Sequence, residues 1–250
     1  MPRYHIDTIP IWDALHEQGE CLLCSLRRRS EHMLAERYLG GSVMEPDTRV
    51  RVNQKGFCPE HHRMLQERQN KLGHALMMLS HIKEVQRRLE TFPAGTNAKA
   101  APRLLSFLSK AEDTGTSGLS SLYNGCVICD HLNENMRHYA YSMLHLWKTD
   151  KSFQEAFSSS KGLCLRDTDL LLGMAQECLS GQSLTDFQNV MQRLFNDNLA
   201  RLEEELEWFT LKFDYRNSDK PWGSSRDALE RTVNKLRGWT LGDDPGKEQQ

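Results

Sequence analysis

No apolar run in this sequence approaches the ~18 residues that a membrane-spanning helix needs, and Met1-Pro2-Arg3-Tyr4-His5-Ile6-Asp7 lacks the apolar stretch of a secretory signal. Charge of one sign is also missing. With 32 Lys and Arg against 34 Asp and Glu, the net charge of −2 gives no general attraction to nucleic acid or to an anionic membrane. Alternation of apolar and polar residues never extends beyond about four positions, which argues against strands. The sequence contains no Gly-x-x-x-x-Gly-Lys, no Gly-x-Gly-x-x-Gly, no Gly-x-Ser-x-Gly and no His-Glu-x-x-His. These absences predict a cytoplasmic protein with no membrane contact, with nucleic acid an unfavoured partner, and with no catalytic base legible. In a reducing compartment seven cysteines point to metal or redox chemistry before disulfides.

What is present is helical. Leu72, Leu76, Leu79, Ile82, Val85, Leu89 and Phe92 recur at spacings of three and four and stop at Pro93. Leu132, Met136, Tyr139, Met143 and Leu146 form a second stripe, and Phe195, Leu199, Leu202, Leu206, Phe209 and Phe213 a third. The third predicts a long helix over 184–213 that packs along a neighbouring helix, joining the halves or meeting a second subunit. A last helix is expected from an N-cap at Ser224 or Ser225 to Gly238. The fold class expected is all-α. A chain of this length builds an apolar core without needing a metal merely to fold.

The chain divides into a half at 1–92, a linker at 93–121 rich in Ala, Gly, Ser, Thr and Pro with a short possible helix at 103–111, a half at 122–240, and a disordered tail at 241–250. The halves are duplicated. Cys21-Leu22-Leu23-Cys24 recurs as Cys126-Val127-Ile128-Cys129, and Lys55-Gly56-Phe57-Cys58-Pro59-Glu60-His61 recurs as Lys161-Gly162-Leu163-Cys164-Leu165-Arg166-Asp167. The gaps agree, with 33 residues between Cys24 and Cys58 and 34 between Cys129 and Cys164. Chance clustering would not reproduce both the pairs and the gap.

A Cys-x-x-Cys turn aims two thiolates the same way, and a second element completes a tetrahedron. Gly56 permits a turn, Pro59 suits a first helical position, and the positive end of that helix favours the thiolate of Cys58. His61 then lies one turn on. Grouped by halves, the expected sites are Cys21, Cys24, Cys58 and His61, with His62 as competing imidazole, and Cys126, Cys129, Cys164 and Asp167, with His131 as substitute. Two zinc ions in closed structural shells are the leading expectation. An iron–sulfur cluster with one non-cysteine ligand, or Cys-x-x-Cys dithiols without metal, are the alternatives. A carboxylate beside three thiolates predicts a second site whose fourth position is weakly held or open to water.

Several other residues are expected to serve packing or solvation. Cys178 is expected as a buried inert thiol beside Leu171 and Met174, and His74 and His81 as residues flanking a core stripe. Arg27-Arg28-Arg29 is expected as a solvated helix face. Trp208, Trp222 and Phe213-Asp214-Tyr215-Arg216-Asn217 are expected to anchor the long helix.

Thr8-Ile9-Pro10-Ile11-Trp12-Asp13-Ala14, the two Cys-x-x-Cys pairs, Gly56-Phe57-Cys58-Pro59-Glu60-His61, Arg68-Gln69-Asn70-Lys71-Leu72-Gly73 and Lys212-Phe213-Asp214-Tyr215-Arg216-Asn217 with Pro221-Trp222 together resemble a family of uncharacterised bacterial proteins. That family carries duplicated CxxC…CxxH motifs and is often mislabelled as an ABC transporter substrate-binding protein. The resemblance implies no activity. It implies Cys-x-x-His where this chain has Cys164-Leu165-Arg166-Asp167, a departure that bears on metal occupancy of the second site.

Two functions follow as expectations. One is a metal-stabilised scaffold or interaction module that presents a surface to a protein partner, a second copy included. The other is an enzyme or carrier that uses thiolate-bound metal or the thiols themselves.

Overall fold

Prolines and glycines punctuate the helices. Pro10, Pro46 and Pro59 stand in the first turns of α1 (Ile9–His16), α3 (Pro46–Lys55) and α4 (Pro59–Glu67), where a missing backbone N–H costs nothing. The computed structural model describes residues 8–90 and 118–244. Its remaining helices are α2 (Leu22–Leu39), α5 (Lys71–Glu90), α6 (Val127–Thr149), α7 (Lys151–Ser158), α8 (Leu165–Cys178), α9 (Gly181–Leu211) and α10 (Ala228–Arg237), with four short 3-10 turns. The described residues contain no strand, and the fold is all-α and internally duplicated. Among them no helix is long and apolar enough to cross a membrane. The 93–117 part of the expected linker, its short helix and the last residues of the tail lie outside the described residues.

The chain forms two compact units, one from Met1–His32 with Leu132–Gln250, the other from Met33–His131. These are not the two sequence halves, since each unit takes one Cys-x-x-Cys and one Cys-x-x-His or Cys-x-x-Asp element from opposite halves.

In the first unit the core is aromatic. Phe153 and Phe157 stack at 5.7 Å, and Trp147 meets Phe187 edge-on at 5.2 Å. Asp150 caps α7 by accepting from the N–H groups of Ser152 and Phe153, which orients that pair of rings. The α6 stripe is inside, with Leu132, Met136, Met143 and Leu146 all buried.

Helix α9 differs from its expected register. It starts three residues earlier and ends at Leu211, and its buried row is Phe187, Met191, Leu194, Asn198 and Leu202. Phe195, Leu199, Leu206 and Phe209 flank that row half-buried, and Phe213 lies past the helix end, 76 % exposed. The buried amide of Asn198 is tolerated because it donates to the Leu194 carbonyl. The turn after α9 is held by the Lys212 ammonium, which donates to the carbonyls of Asn217, Ser218 and Lys220. Trp208 donates to the Pro221 carbonyl, and Trp222 sits beside Phe209.

In the second unit α5 packs on α3 through polar groups. Arg49 donates to the Leu76 carbonyl and Ser80 hydroxyl, both at 2.8 Å, and His81 Nδ1 lies 3.0 Å from the Asn53 carbonyl. Its buried residues are therefore Gly73, His74 and Met77. Much of the row expected as core faces solvent instead: Leu72 is 70 %, Leu79 53 % and Ile82 55 % exposed, while Leu76 and Val85 are half-buried. Helical spacing marks an apolar face but not which face the neighbours take.

Candidate metal centres

The second element of each half has one backbone design, used twice. Gly56 and Gly162 hold φ of 65° and 71°, a left-handed conformation that suits glycine. Cys58 and Cys164 follow as N-cap residues of α4 and α8 with nearly equal angles, φ −74° and ψ 166° against φ −71° and ψ 165°. One turn into those helices come His61 and Asp167. The first elements match as well. The Cys24 N–H donates to Cys21 Sγ at 3.3 Å and the Cys129 N–H to Cys126 Sγ at 3.4 Å, which is the turn that aims both sulfurs one way.

The two kinds of element dock by a bond that also repeats. The Leu22 N–H donates to the Gly162 carbonyl at 3.4 Å, and the Val127 N–H to the Gly56 carbonyl at 3.1 Å. The partners are thus exchanged. One cluster is Cys58, His61, Cys126 and Cys129, and the other is Cys21, Cys24, Cys164 and Asp167, with the ligand atoms of each within 4.8 Å of one another. All eight expected residues come together, but not in the expected fours. The grouping by halves is corrected to a reciprocal grouping across them. The physical reason is that the connector in each half runs through a long helix, α2 of roughly 27 Å or α6 of roughly 35 Å at 1.5 Å per residue. Matching gap lengths record the duplication and say nothing of where such a rod delivers the next element.

The distances suit one ion per cluster. Cys58 and Cys129 Sγ are 3.8 Å apart, as are Cys24 and Cys164 Sγ. A tetrahedral ion with bonds of ~2.3 Å to sulfur separates two thiolates by roughly 3.8 Å. His61 Nδ1 lies 3.0, 3.3 and 3.4 Å from the sulfurs of Cys58, Cys126 and Cys129. Asp167 Oδ2 lies 3.3 and 3.4 Å from those of Cys21 and Cys24. All seven cysteines are free thiols, and Cys178 is only half-buried, at the end of α8, rather than fully inside.

Neither alternative imidazole joins a cluster. His62 Nδ1 lies 3.0 Å from His74 Nε2 and the rings stack at 5.2 Å, so both serve a local pair beside Phe57. His131 lies 3.4 Å from the Tyr38 hydroxyl and 3.3 Å from Arg51.

In each cluster one cysteine is held as the thiolate by its neighbours. Bonds from Cys21 and Cys24 hold Cys164 down to about 2, while burial pushes Cys21 up and the bond to Cys164 pushes Cys24 up. Cys126 is held down to about 3, chiefly by Cys129 and also by His61, and Cys129 is pushed up by the same bond. A second and third thiolate need a cation among them.

The clusters differ in access and in surroundings. The four residues containing Asp167 are all buried, Cys164 and Asp167 completely, so the expected opening to water at this site is absent. At the imidazole cluster Cys58 and Cys129 are half-buried. Around Asp167 stand groups that sequence reasoning missed. Arg166 Nε lies 3.1 Å and Arg27 Nη2 3.6 Å from its Oδ1. Lys235, wholly buried, donates to the carbonyls of Glu20 and Lys161, which precede Cys21 and Gly162. Burial pushes its ammonium down, opposed by Glu20 and Cys21. The Trp239 N–H donates to Cys24 Sγ at 3.3 Å. Arg166 could be noticed as the neighbour of Asp167, and Arg27 as one helical turn beyond Cys24. Lys235 and Trp239 carry no local signal.

The basic run is accordingly no solvated face. Arg28 stacks over the Trp239 ring at 4.2 Å and pairs with Asp244 at 2.6 Å, and Arg29 pairs with Glu17. Asp244 also accepts from His32, so residues 241–244 depart from the expected disordered tail.

The chain matches the family of unknown function DUF6062 over residues 2–243. It belongs to that family. A DUF6062 membership brings a fold-wide relationship and no activity. The chain is also similar to the uncharacterized 23.9 kDa protein in the xynA 3' region of Caldicellulosiruptor sp. (strain Rt8B.4), at 22 % identity over 225 residues, covering 90 % of this chain and 93 % of that one. No solved structure matches the chain at a significant level.

Proposed function

We propose that this DUF6062 protein is a non-enzymatic, cytoplasmic scaffold or interaction module in which two single-ion centres, zinc at both, tie distant segments of the chain together. The observation that carries the reading is the pair of four-residue clusters whose ligand atoms all lie within 4.8 Å of one another. Each ties elements far apart in sequence, with 146 positions between Cys21 and Asp167 and 65 between His61 and Cys126. Sulfurs 3.8 Å apart suit one tetrahedral ion better than a multinuclear cluster, whose inorganic core would spread them. When bound, the ion supplies the positive charge that lets three thiolates stand together. The chain's own residues do the rest: the turns at Gly56 and Gly162 aim the thiolates, and burial excludes competing water at the aspartate centre. The exposed apolar row on α5 fits the interaction part of this reading.

Protein purified without chelator should carry two zinc ions per chain by elemental analysis. Less than half an equivalent of any transition metal would contradict the reading, and a brown protein with iron and acid-labile sulfide would replace zinc with a cluster. A carrier or enzyme reading rests on one observation, the half-buried thiolates Cys58 and Cys129, which a reactant could reach.

A further inference from the structure

The carboxylate in the second centre looks like a weakened ligand when only the motif is considered, because a neutral imidazole stands at the corresponding place in the first. Its surroundings argue otherwise. Asp167 presents Oδ2 to the sulfurs of Cys21 and Cys24, at 3.3 and 3.4 Å. Its Oδ1 is turned to Arg166 Nε at 3.1 Å and Arg27 Nη2 at 3.6 Å. Arg166 Nη2 reaches across to Oδ2 at 3.5 Å and to Cys24 Sγ at 4.0 Å, along the outer edge of the cluster.

Placing these cations costs the fold something. The Arg27 side chain is only 19 % exposed, and its Nε is buried with no hydrogen-bond partner among the described residues. A buried donor left unmatched destabilises the fold. Lys235 is wholly inside. The neighbouring acids do not account for them: Glu20 is met by Arg201, Arg231 and Lys161, and Glu205 and Asp227 by Arg231. What remains for Arg27 and Arg166 is the cluster itself, while Lys235 is held by the Glu20 and Lys161 carbonyls behind it. A divalent ion held by three thiolates and a carboxylate carries one negative charge more than one held by three thiolates and an imidazole.

We propose that Arg27 and Arg166 are positioning residues that adapt this centre to a carboxylate, by occupying Oδ1 so that Asp167 coordinates through one oxygen and by offsetting the extra negative charge of the shell. The centre is then a closed four-coordinate site designed around aspartate. This rests on the metal reading above. Its consequence is that Asp167→His does not repair the site: it removes the charge that two guanidiniums are placed to meet.

The test follows metal release from full-length zinc-loaded protein into excess chromogenic chelator, with the phase lost in Cys164→Ser assigned to this centre. Arg27→Met/Arg166→Met should speed that phase by about 10- to 100-fold, the range by which such outer partners tune metal sites, and leave the other phase alone. Arg166→Lys should rescue only in part, since an ammonium lacks the guanidinium fork. Asp167→His should speed release in the wild-type background and do so less in the Arg27→Met/Arg166→Met background. A merely structural role would make the two effects additive. Because Arg166 is half exposed, Arg166→Met alone keeps the core filled if the double variant does not fold. In cobalt(II)-loaded Arg166→Met the ligand-field absorbance of this centre should drop as the freed carboxylate becomes bidentate and the coordination number rises. Slower release in Asp167→His, or unchanged release and cobalt spectrum without the arginines, overturns the proposal. Absence of metal from both centres is a separate result and removes the metal reading beneath it.

Discussion

Cys164→Ser should lower the melting temperature by roughly 10 °C, and Cys58→Ser by less. Structural zinc can supply about 10–16 kcal/mol of apparent folding free energy in small domains, and a variant that keeps three ligands loses part of it. Cys164 is completely buried, so its loss also leaves Arg27 beside a depleted anion. Breaking a buried charge arrangement on one side typically costs about 3–5 kcal/mol. At about 2–4 °C per kcal/mol for a chain of this size, the shift is easily read. Cys58 is half-buried, and water can partly replace its contacts. Calorimetry of the two variants checks this. If both melt like wild type, neither centre holds the fold, and a chemical role for the thiolates becomes the better account.

Excess chelator should remove zinc in two phases, with the imidazole centre emptied first. Ligand chemistry considered alone gives the opposite order, since imidazole binds zinc more firmly than one carboxylate oxygen does. Access decides the rate. A chelator must reach the ion, and it can do so beside Cys58 and Cys129, whereas every residue of the aspartate centre is buried. Stopped-flow absorbance on Cys58→Ser should show the fast phase gone and the slow one intact. Loss of the slow phase there would mean that ligand strength, not burial, sets the order.

The cysteine repeat made all eight clustered residues legible, because a duplicated spacing is a strong local signal and the turns at Gly56 and Gly162 are local structures. Their assembly was not legible, because it depends on where rigid helices deliver the chain. The same limit appears in α5 and α9. Leu72, Leu79 and Ile82 have the spacing of a core stripe, yet α3 meets α5 through Arg49, Ser80 and His81. In α9 the buried row includes Asn198, which a hydropathy pattern skips because its amide satisfies itself on the Leu194 carbonyl. In sequence Arg27 has the pattern of a solvated charge, because nothing in its own segment reveals an aspartate 140 positions away.

The grouping across halves is the central claim, and counting metal in two double variants tests it most directly. Cys58→Ser/Cys126→Ser damages a single centre if Cys58 and Cys126 share an ion, and Cys24→Ser/Cys58→Ser damages both. Native mass spectrometry should therefore find one zinc ion retained in the first variant and none in the second. One ion retained in Cys24→Ser/Cys58→Ser and none in Cys58→Ser/Cys126→Ser would restore the grouping by halves and contradict the account.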